Sequence, residues 1–206
     1  MTRRRREASA GEHATTLSLA VRLVDVATGE RPTGEPSVAV DGPERIEPAA
    51  VNPSGYRLFL DADLPPDPLQ LVVDGSERYA DDRIEVARPA AGAPAVTVQL
   101  APAPQYPFGP GATIVRGVVE DPAGEGVAGA VVTVQGLDWR TRTNDGGEFV
   151  LFLGDRPVET DPATGARRVT VDGDDPTVEV SHRLGDLSAS VTVEAGTVTR
   201  RTFAYP

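Results

Sequence analysis

The side chains that could carry out catalysis are few in this chain of 206 residues, and they form no catalytic motif. There is no Cys, the two His are His13 and His182, and no Ser lies in a Gly-x-Ser-x-Gly elbow. No glycine-rich phosphate loop precedes a helical pattern. We therefore predict no catalytic residue, no cofactor-binding residue and no enzyme activity, with His182 as an ordinary surface residue of a strand.

One acidic cluster, Asp172-Gly173-Asp174-Asp175, has the composition of a cation-binding loop. It lacks the remaining ligands and the closing Glu of a calcium loop. The absence of Cys also excludes thiolate metal sites. We predict an acidic turn here, with no metal and no cofactor.

Aromatic and arginine side chains are better candidates for binding. Trp139 lies between two predicted strands, where a Trp is a plausible hot spot of a protein interface, although it could instead cap the core of its own module. Arg200 and Arg201 lie in the last predicted strand. The candidate interface residues are Trp139, Tyr106, Phe108, Arg200, Arg201, Phe203 and Tyr205.

The charge of the chain excludes some partners. The net charge is -11, and all 20 basic residues are Arg, with no Lys. Such a surface repels nucleic acid and anionic membranes at long range, and no apolar run reaches 18 residues. We predict no nucleic-acid partner and no membrane insertion. An acidic, Lys-free composition is typical of a halophilic archaeon or a GC-rich bacterium.

A repeat organises the chain. Val21-Arg22 returns as Val115-Arg116 and Val38-Ala39-Val40 returns as Val132-Thr133-Val134, about 94 positions later; Tyr56–Leu60 returns as Phe149–Leu153 at about 93. A Pro/Gly-rich segment separates the two copies. We predict a charged arm (1–14), a divergent module one (15–101), a stiff linker with few hydrogen bonds (102–111) and module two (112–206).

Each copy alternates small or polar residues with Val, Leu and Ile over short runs bounded by turn residues, which is the pattern of β-strands. No window has a capped helical period longer than two turns. The prediction is an all-β protein of two tandem seven-stranded β-sandwiches, transthyretin-like or Ig-like. In module two we expect tight turns at Gly185-Asp186 and Ala195-Gly196. The final strand could lie at a sheet edge, and residues 148–153 are apolar on both faces, covered either by a loop or by a partner.

Module two resembles the carboxypeptidase regulatory-like domains, which are transthyretin-like sandwiches. The resemblance is carried by Gly117–Asp121, Gly124, Val127–Val134 and Thr143–Phe149. It implies a fold, and the family is generally non-catalytic. The residues expected to form structural turns or tight packing positions are Gly117, Gly129, Asn144, Asp145, Gly146 and Gly147, with Asn144–Gly147 supplying the positive-φ positions of a hairpin.

A divergent module, a Tyr-Pro-Phe-Gly-Pro-Gly linker and a regulatory-like module together also resemble proteins of phage-tail-like contractile injection particles, on residues 106–117. Arg3–Arg6 is followed by no apolar segment, so we expect a cytoplasmic protein, which such a particle could later release. The predicted function is a non-catalytic structural or interaction subunit of a multi-protein assembly, with other protein subunits, including copies of itself, as partners. The alternative is a free-standing binding module for carbohydrate or peptide.

Overall fold

The structure is a computed structural model, and it describes residues 14–90, 92–154 and 156–206. The predicted arm therefore lies outside the described residues, except for Ala14. Throughout the described ranges the regular elements are strands, which confirms the all-β prediction. No helix in these ranges is long and apolar enough to cross a membrane.

Module one contains seven strands in residues 15–90 and 92–101. They are β1 (Leu17–Asp25), β2 (Ser37–Val40), β3 (Ala50–Val51), β4 (Tyr56–Leu60), β5 (Leu69–Asp74), β6 (Asp82–Val86) and β7 (Ala95–Leu100). One sheet has the order β3-β4-β1-β7 and the other β2-β5-β6. In β1 the larger side chains at alternate positions point inward, so that Leu19, Val21 and Leu23 are buried.

Module two contains nine strands among the described residues, two more than predicted. They are β8 (Ile114–Glu120), β9 (Val131–Val134), β10 (Thr141–Arg142), β11 (Glu148–Phe152), β12 (Val158–Thr160), β13 (Arg167–Val169), β14 (Thr177–His182), β15 (Gly185–Ser190) and β16 (Val198–Ala204). Two sheets, β10-β9-β14-β15 and β11-β8-β16, form the sandwich, and β12-β13 is a separate hairpin.

The two modules share a distinctive connection. In each, the first strand pairs in parallel with the last, β1 with β7 and β8 with β16, and antiparallel with β4 or β11. Val21 lies opposite Arg57, and Val115 lies opposite Leu151, so this strand also repeats at a spacing of 94. The predicted spacing of 93 positions between β4 and β11 is therefore wrong by one residue. A shift of one residue matters because it exchanges the inward and outward faces of a strand.

Each module has its own hydrophobic core. The core of module one is built around Phe59, Leu71 and Tyr79, and that of module two around Phe149, Leu151 and Val180. Tyr106 of the linker belongs to the first core. The linker is also hydrogen-bonded, from Ala103 N to Arg78 O (2.8 Å) and from Tyr106 N to Ala103 O (2.9 Å). The expectation of a connector with few hydrogen bonds is therefore wrong.

Two turns can be compared with their predictions. Ala195-Gly196 is a turn, as expected. Gly185-Asp186 is not, because His182 pairs with Gly185, which places the two-residue turn at Arg183-Leu184 and begins β15 at Gly185. Gly185 has positive φ at the start of β15, outside the two-residue turn. A Gly in the sequence therefore locates a hairpin turn only to within one or two positions.

Candidate functional site: the module junction and the β16 edge

The two modules are joined by a carboxylate held between two guanidinium groups. Asp82, at the start of β6, accepts hydrogen bonds from Arg140 Nε (3.1 Å) and from Arg142 Nε (2.5 Å). Arg140 and Arg142 flank Thr141 of β10, so alternation places both on one face. Arg140 also donates to Arg83 O (2.6 Å) and Arg142 to Gly129 O (3.0 Å). The junction is thus a charge-assisted network.

The side chains of this network are partly buried, which increases its contribution to stability. The Asp82 side chain is only 14% exposed, and those of Arg140 and Arg142 are 38% and 28% exposed. Exposed ion pairs contribute little, but a partly buried carboxylate that loses its partners leaves its charge uncompensated. The network therefore restrains how module two lies against module one.

We expect Asp82→Asn to lower the free energy of unfolding by about 1–3 kcal/mol, since an amide cannot neutralise two guanidinium groups. The matched control is Asp138→Asn, a residue that lines the same junction and forms no ion pair within the described ranges. Urea unfolding checks both variants. Equal losses for the two would contradict a specific role for Asp82.

An open cleft of about 520 Å³ lies beside this network, between the modules. Its walls include Thr97 and Gln99 of β7 on one side, and Leu137 and Trp139 on the other. Trp139 is half-buried and also packs against the core of module two. Trp139 thus covers the core of its own module, and one side of it faces the cleft; its role as a hot spot of a protein interface stays a prediction.

The linker is anchored by a buried carboxylate that the sequence analysis did not identify. Asp25, 2% exposed, accepts hydrogen bonds at Oδ2 from the hydroxyls of Tyr106 (2.6 Å) and Tyr79 (3.1 Å), and at Oδ1 from Ala27 N (2.8 Å). Burial, and next the hydrogen bond to Asp25, raise the pKa of Tyr106 well above its ordinary value of 10. Burial raises the pKa of Tyr79 as well. Tyr106 is therefore an internal anchor, which corrects its prediction as an interface residue.

These shifts predict a pH dependence. An unfolded Tyr loses its proton near pH 10, whereas folded Tyr106 keeps it to higher pH, so the contribution of Tyr106 to stability is constant below about pH 10 and falls above it. We expect Tyr106→Phe to cost about 1–3 kcal/mol at pH 7 and to make that fall shallower. Urea unfolding between pH 7 and 11 measures both. Tyr56→Phe, half-buried in β4, is the control; an unchanged slope in Tyr106→Phe would contradict the assignment.

The linker also covers the outer face of β11. Phe108 packs on Tyr106 (ring centroids 4.7 Å apart) and stacks on Phe152 (5.9 Å, 14° between planes). The guanidinium of Arg116 lies 5.9 Å from the Phe108 ring and donates to the Pro104 carbonyl. Val150 on this face is fully buried. The two apolar faces of β11 are thus covered within the chain, so they do not require a partner, and Phe108 is an internal contact.

Strand β16 lies at the edge of its sheet, as expected. Phe203 and Tyr205 are 5% and 6% exposed and lie in the core of module two, so they are not surface contacts. Their prediction as interface residues is wrong, because alternation along β16 directs both side chains into the core. Arg200 and Arg201 are exposed, and neither takes part in an ion pair in the part of the chain that the structure describes.

The free edge of β16 can be read from its hydrogen bonds. Thr197 O accepts from Ile114 N, and Tyr205 N donates to Glu120 O, so odd-numbered residues direct their backbone groups toward β8. Alternation then turns the backbone groups of the even-numbered residues to the open edge. These residues, all exposed, are Val198, Arg200, Thr202 and Ala204.

The predicted turn residues form a tight turn and closely packed backbone positions rather than a binding site. Asn144 Oδ1 accepts from Gly146 N (3.0 Å) and Glu148 N (2.9 Å), which closes the turn before β11. Gly147 and Gly129 have positive φ, whereas Asn144, Asp145 and Gly146 do not. Gly117 lies under the Phe149 ring, where an added Cβ would come within 2.3 Å of Cζ. Of the Asn144–Gly147 turn, only Gly147 needs the left-handed conformation.

The residues that the sequence analysis missed are polar groups with long-range partners. Asp25, Asp82, Arg140 and Arg142 pair across 58 to 81 positions of sequence. Asp25 carried a weak signal, since it is a charged residue ending an apolar strand. No local pattern distinguishes Asp82 from the adjacent Asp81.

Comparisons with known proteins give remote structural likeness only. No family model and no curated protein matches the chain. Similar solved structures include the Bacillus anthracis TIE protein (13% identity, 92% of this chain and 34% of that chain, TM-score 0.30). Others are GBS52, the minor pilin of Streptococcus agalactiae (10%, 91% and 95%, 0.29), and a streptococcal ancillary pilin (13%, 93% and 62%, 0.25). This chain spans about a third of the TIE chain, and TM-scores this low support no conclusion about function.

Proposed function

We propose that this chain is a non-catalytic structural or interaction subunit that joins other protein subunits through the open edge of β16. The observation that carries the proposal is this seven-residue edge strand, whose outward backbone groups belong to four exposed residues. Unpaired N–H and C=O groups on a sheet edge are a template for another strand. The exposed Arg200 and Arg201 discourage pairing with an identical edge, because like charges would face each other.

The two-module body suits such a role. The Asp82 network and the Asp25–Tyr106 anchor restrain the modules and the linker, so a strand added at β16 would be held at a defined position relative to module one. The kind of assembly is a further step. The sequence resemblance suggests a contractile injection particle that is built in the cytoplasm, and this stays a prediction.

The test is the native mass of the protein in lysate of the cells that make it. Wild-type protein is expected in a complex well above its monomer mass of 21.6 kDa. Thr202→Pro should release it as a monomer, because proline removes an outward N–H and adds a ring at the edge without breaking the pairs with β8. Thr202→Ala is the matched control and should stay assembled.

Deleting the end of β16 would be a poor test, since Phe203 and Tyr205 belong to the core of module two. Wild-type protein that elutes as a monomer and co-purifies with no other protein would contradict the proposal. It would favour the alternative, a free-standing binding module, for which the observation is the junction cleft of about 520 Å³ with Trp139 on its wall.

A further inference from the structure

Two arginines of neighbouring strands lie side by side on one face of a sheet. Arg116 of β8 and Arg200 of β16 are direct partners in the parallel register, so their side chains lie on the same face of the sheet. Neither forms an ion pair within residues 14–90, 92–154 and 156–206. Like charges directly opposite each other destabilise a sheet, and an anion beside them would relieve this repulsion.

The surroundings leave one side of this pair open. Arg116 is half-buried, and its guanidinium is held by the Pro104 carbonyl and the Phe108 ring. Arg200 is exposed, and it makes no such contact with the residues that the structure describes. A groove of about 340 Å³ lies beside the linker and this edge, and its lining includes Pro104, Arg116, Glu148, Arg200, Arg201 and Thr202.

The one carboxylate in that lining does not neutralise the pair. Glu148 lies in β11 opposite Val118, on the far side of β8 from β16. Its Oε2 accepts a hydrogen bond from Asn144 Nδ2 (2.9 Å), which orients it toward the turn. Among the described residues, no ion pair therefore compensates the positive charge next to the open edge, in a chain whose net charge is -11.

We propose that Arg200, backed by Arg116, recognises a carboxylate on an extended segment of the partner subunit that adds to β16; this rests on the proposed function. In an added strand, the residue opposite Arg200 has its Cβ about 4.5–5.5 Å from that of Arg200 and its side chain on the same face. A Glu there reaches the guanidinium, and Arg116 lies about one strand spacing of 4.8 Å further in. Arg201 also lines this groove, but alternation directs its side chain to the other face of the strand, away from a carboxylate opposite Arg200.

This assigns the partner chemistry. The segment is a β-forming strand with a Glu or Asp opposite Arg200, and with apolar or β-branched residues two positions to either side, next to Val198 and Thr202. Charge-assisted hydrogen bonds between guanidinium and carboxylate groups are stronger than neutral ones and fix register.

The test uses the purified full chain and a fluorescein-labelled, C-terminally amidated peptide, Thr-Val-Thr-Glu-Thr-Val-Thr, with its Glu→Gln version as the comparison. Anisotropy titrations should show the Gln peptide binding at least about tenfold more weakly. Arg200→Gln should weaken the Glu peptide by about the same factor and make the two peptides equal. Arg201→Gln, the matched control, should change binding by less than about twofold. Thermal melts establish that each variant is folded.

The outcomes separate this inference from the proposed function. Equal binding of the two peptides overturns carboxylate recognition, and so do equal effects of Arg200→Gln and Arg201→Gln. If Thr202→Pro still abolishes peptide binding in that case, strand addition at the β16 edge stands. Binding of the Glu peptide that Thr202→Pro leaves unchanged overturns strand addition. Failure of both peptides to bind wild-type protein at millimolar concentration also overturns the inference, while the native mass in lysate judges the proposed function independently.

Discussion

Gly147→Val should lower the free energy of unfolding of the full chain by about 3–5 kcal/mol, because it combines backbone strain with overlap in the core. Gly147 has φ of 74°, a conformation that a β-branched residue rarely adopts. A Cβ there would lie 2.5 Å from Val119 O and 2.8 Å from Gly126 Cα, which are backbone atoms that cannot rotate away. Thermal and urea unfolding measure the loss.

The control separates the two causes. Gly124 has φ of 82°, but an added Cβ meets nothing within 4 Å. Gly124→Val should therefore cost only the strain, about 1–3 kcal/mol. If Gly147→Val is no worse than Gly124→Val, then the close approach of the Asn144–Gly147 turn to β8 is not a constraint on module two.

Asp25→Ala should be about as damaging, at about 3–5 kcal/mol, since it removes the acceptor of three hydrogen bonds inside module one. The hydroxyls of Tyr79 and Tyr106 would lose their buried partner, and the linker would lose its anchor. Asp25→Asn, which keeps the volume and one acceptor oxygen, should lose less. Urea unfolding compares them, and a similar small loss for both would show that the carboxylate is not the anchor.

The sequence predicted those parts of the fold that depend on local alternation. A strand such as Leu17–Asp25 follows from apolar residues at every second position, and the turn before β11 follows from Asn144 and Gly147. Short strands with weak patterns, such as Ala50–Val51 and Val158–Thr160, were not predicted, because they form where a neighbouring strand is available rather than where propensity is high.

The candidate site was harder to predict because its residues have no distinctive local sequence pattern and interact only in the folded chain. Asp82 resembles Asp81 in sequence, and only the position of Arg140 and Arg142 in the other module distinguishes it. The prediction of Phe203 and Tyr205 as interface residues is wrong for the opposite reason, since these residues are conspicuous in the sequence. Only 5% of the residues of this chain are aromatic, so Phe203 and Tyr205 stand out in the sequence. Large aromatic side chains contribute most when they are buried, and both lie in the core of module two.

Hydrogen exchange at the β16 edge tests the central claim most directly. In the monomer, the amides of Arg200 and Thr202 should exchange fast and those of Arg201 and Phe203 slowly, since only the odd-numbered residues of β16 direct their N–H groups toward β8. In the complex isolated from lysate, the account predicts that Arg200 and Thr202 become protected, with Arg201 and Phe203 as internal controls. Fast exchange of Arg200 and Thr202 within an intact complex would contradict assembly through this edge.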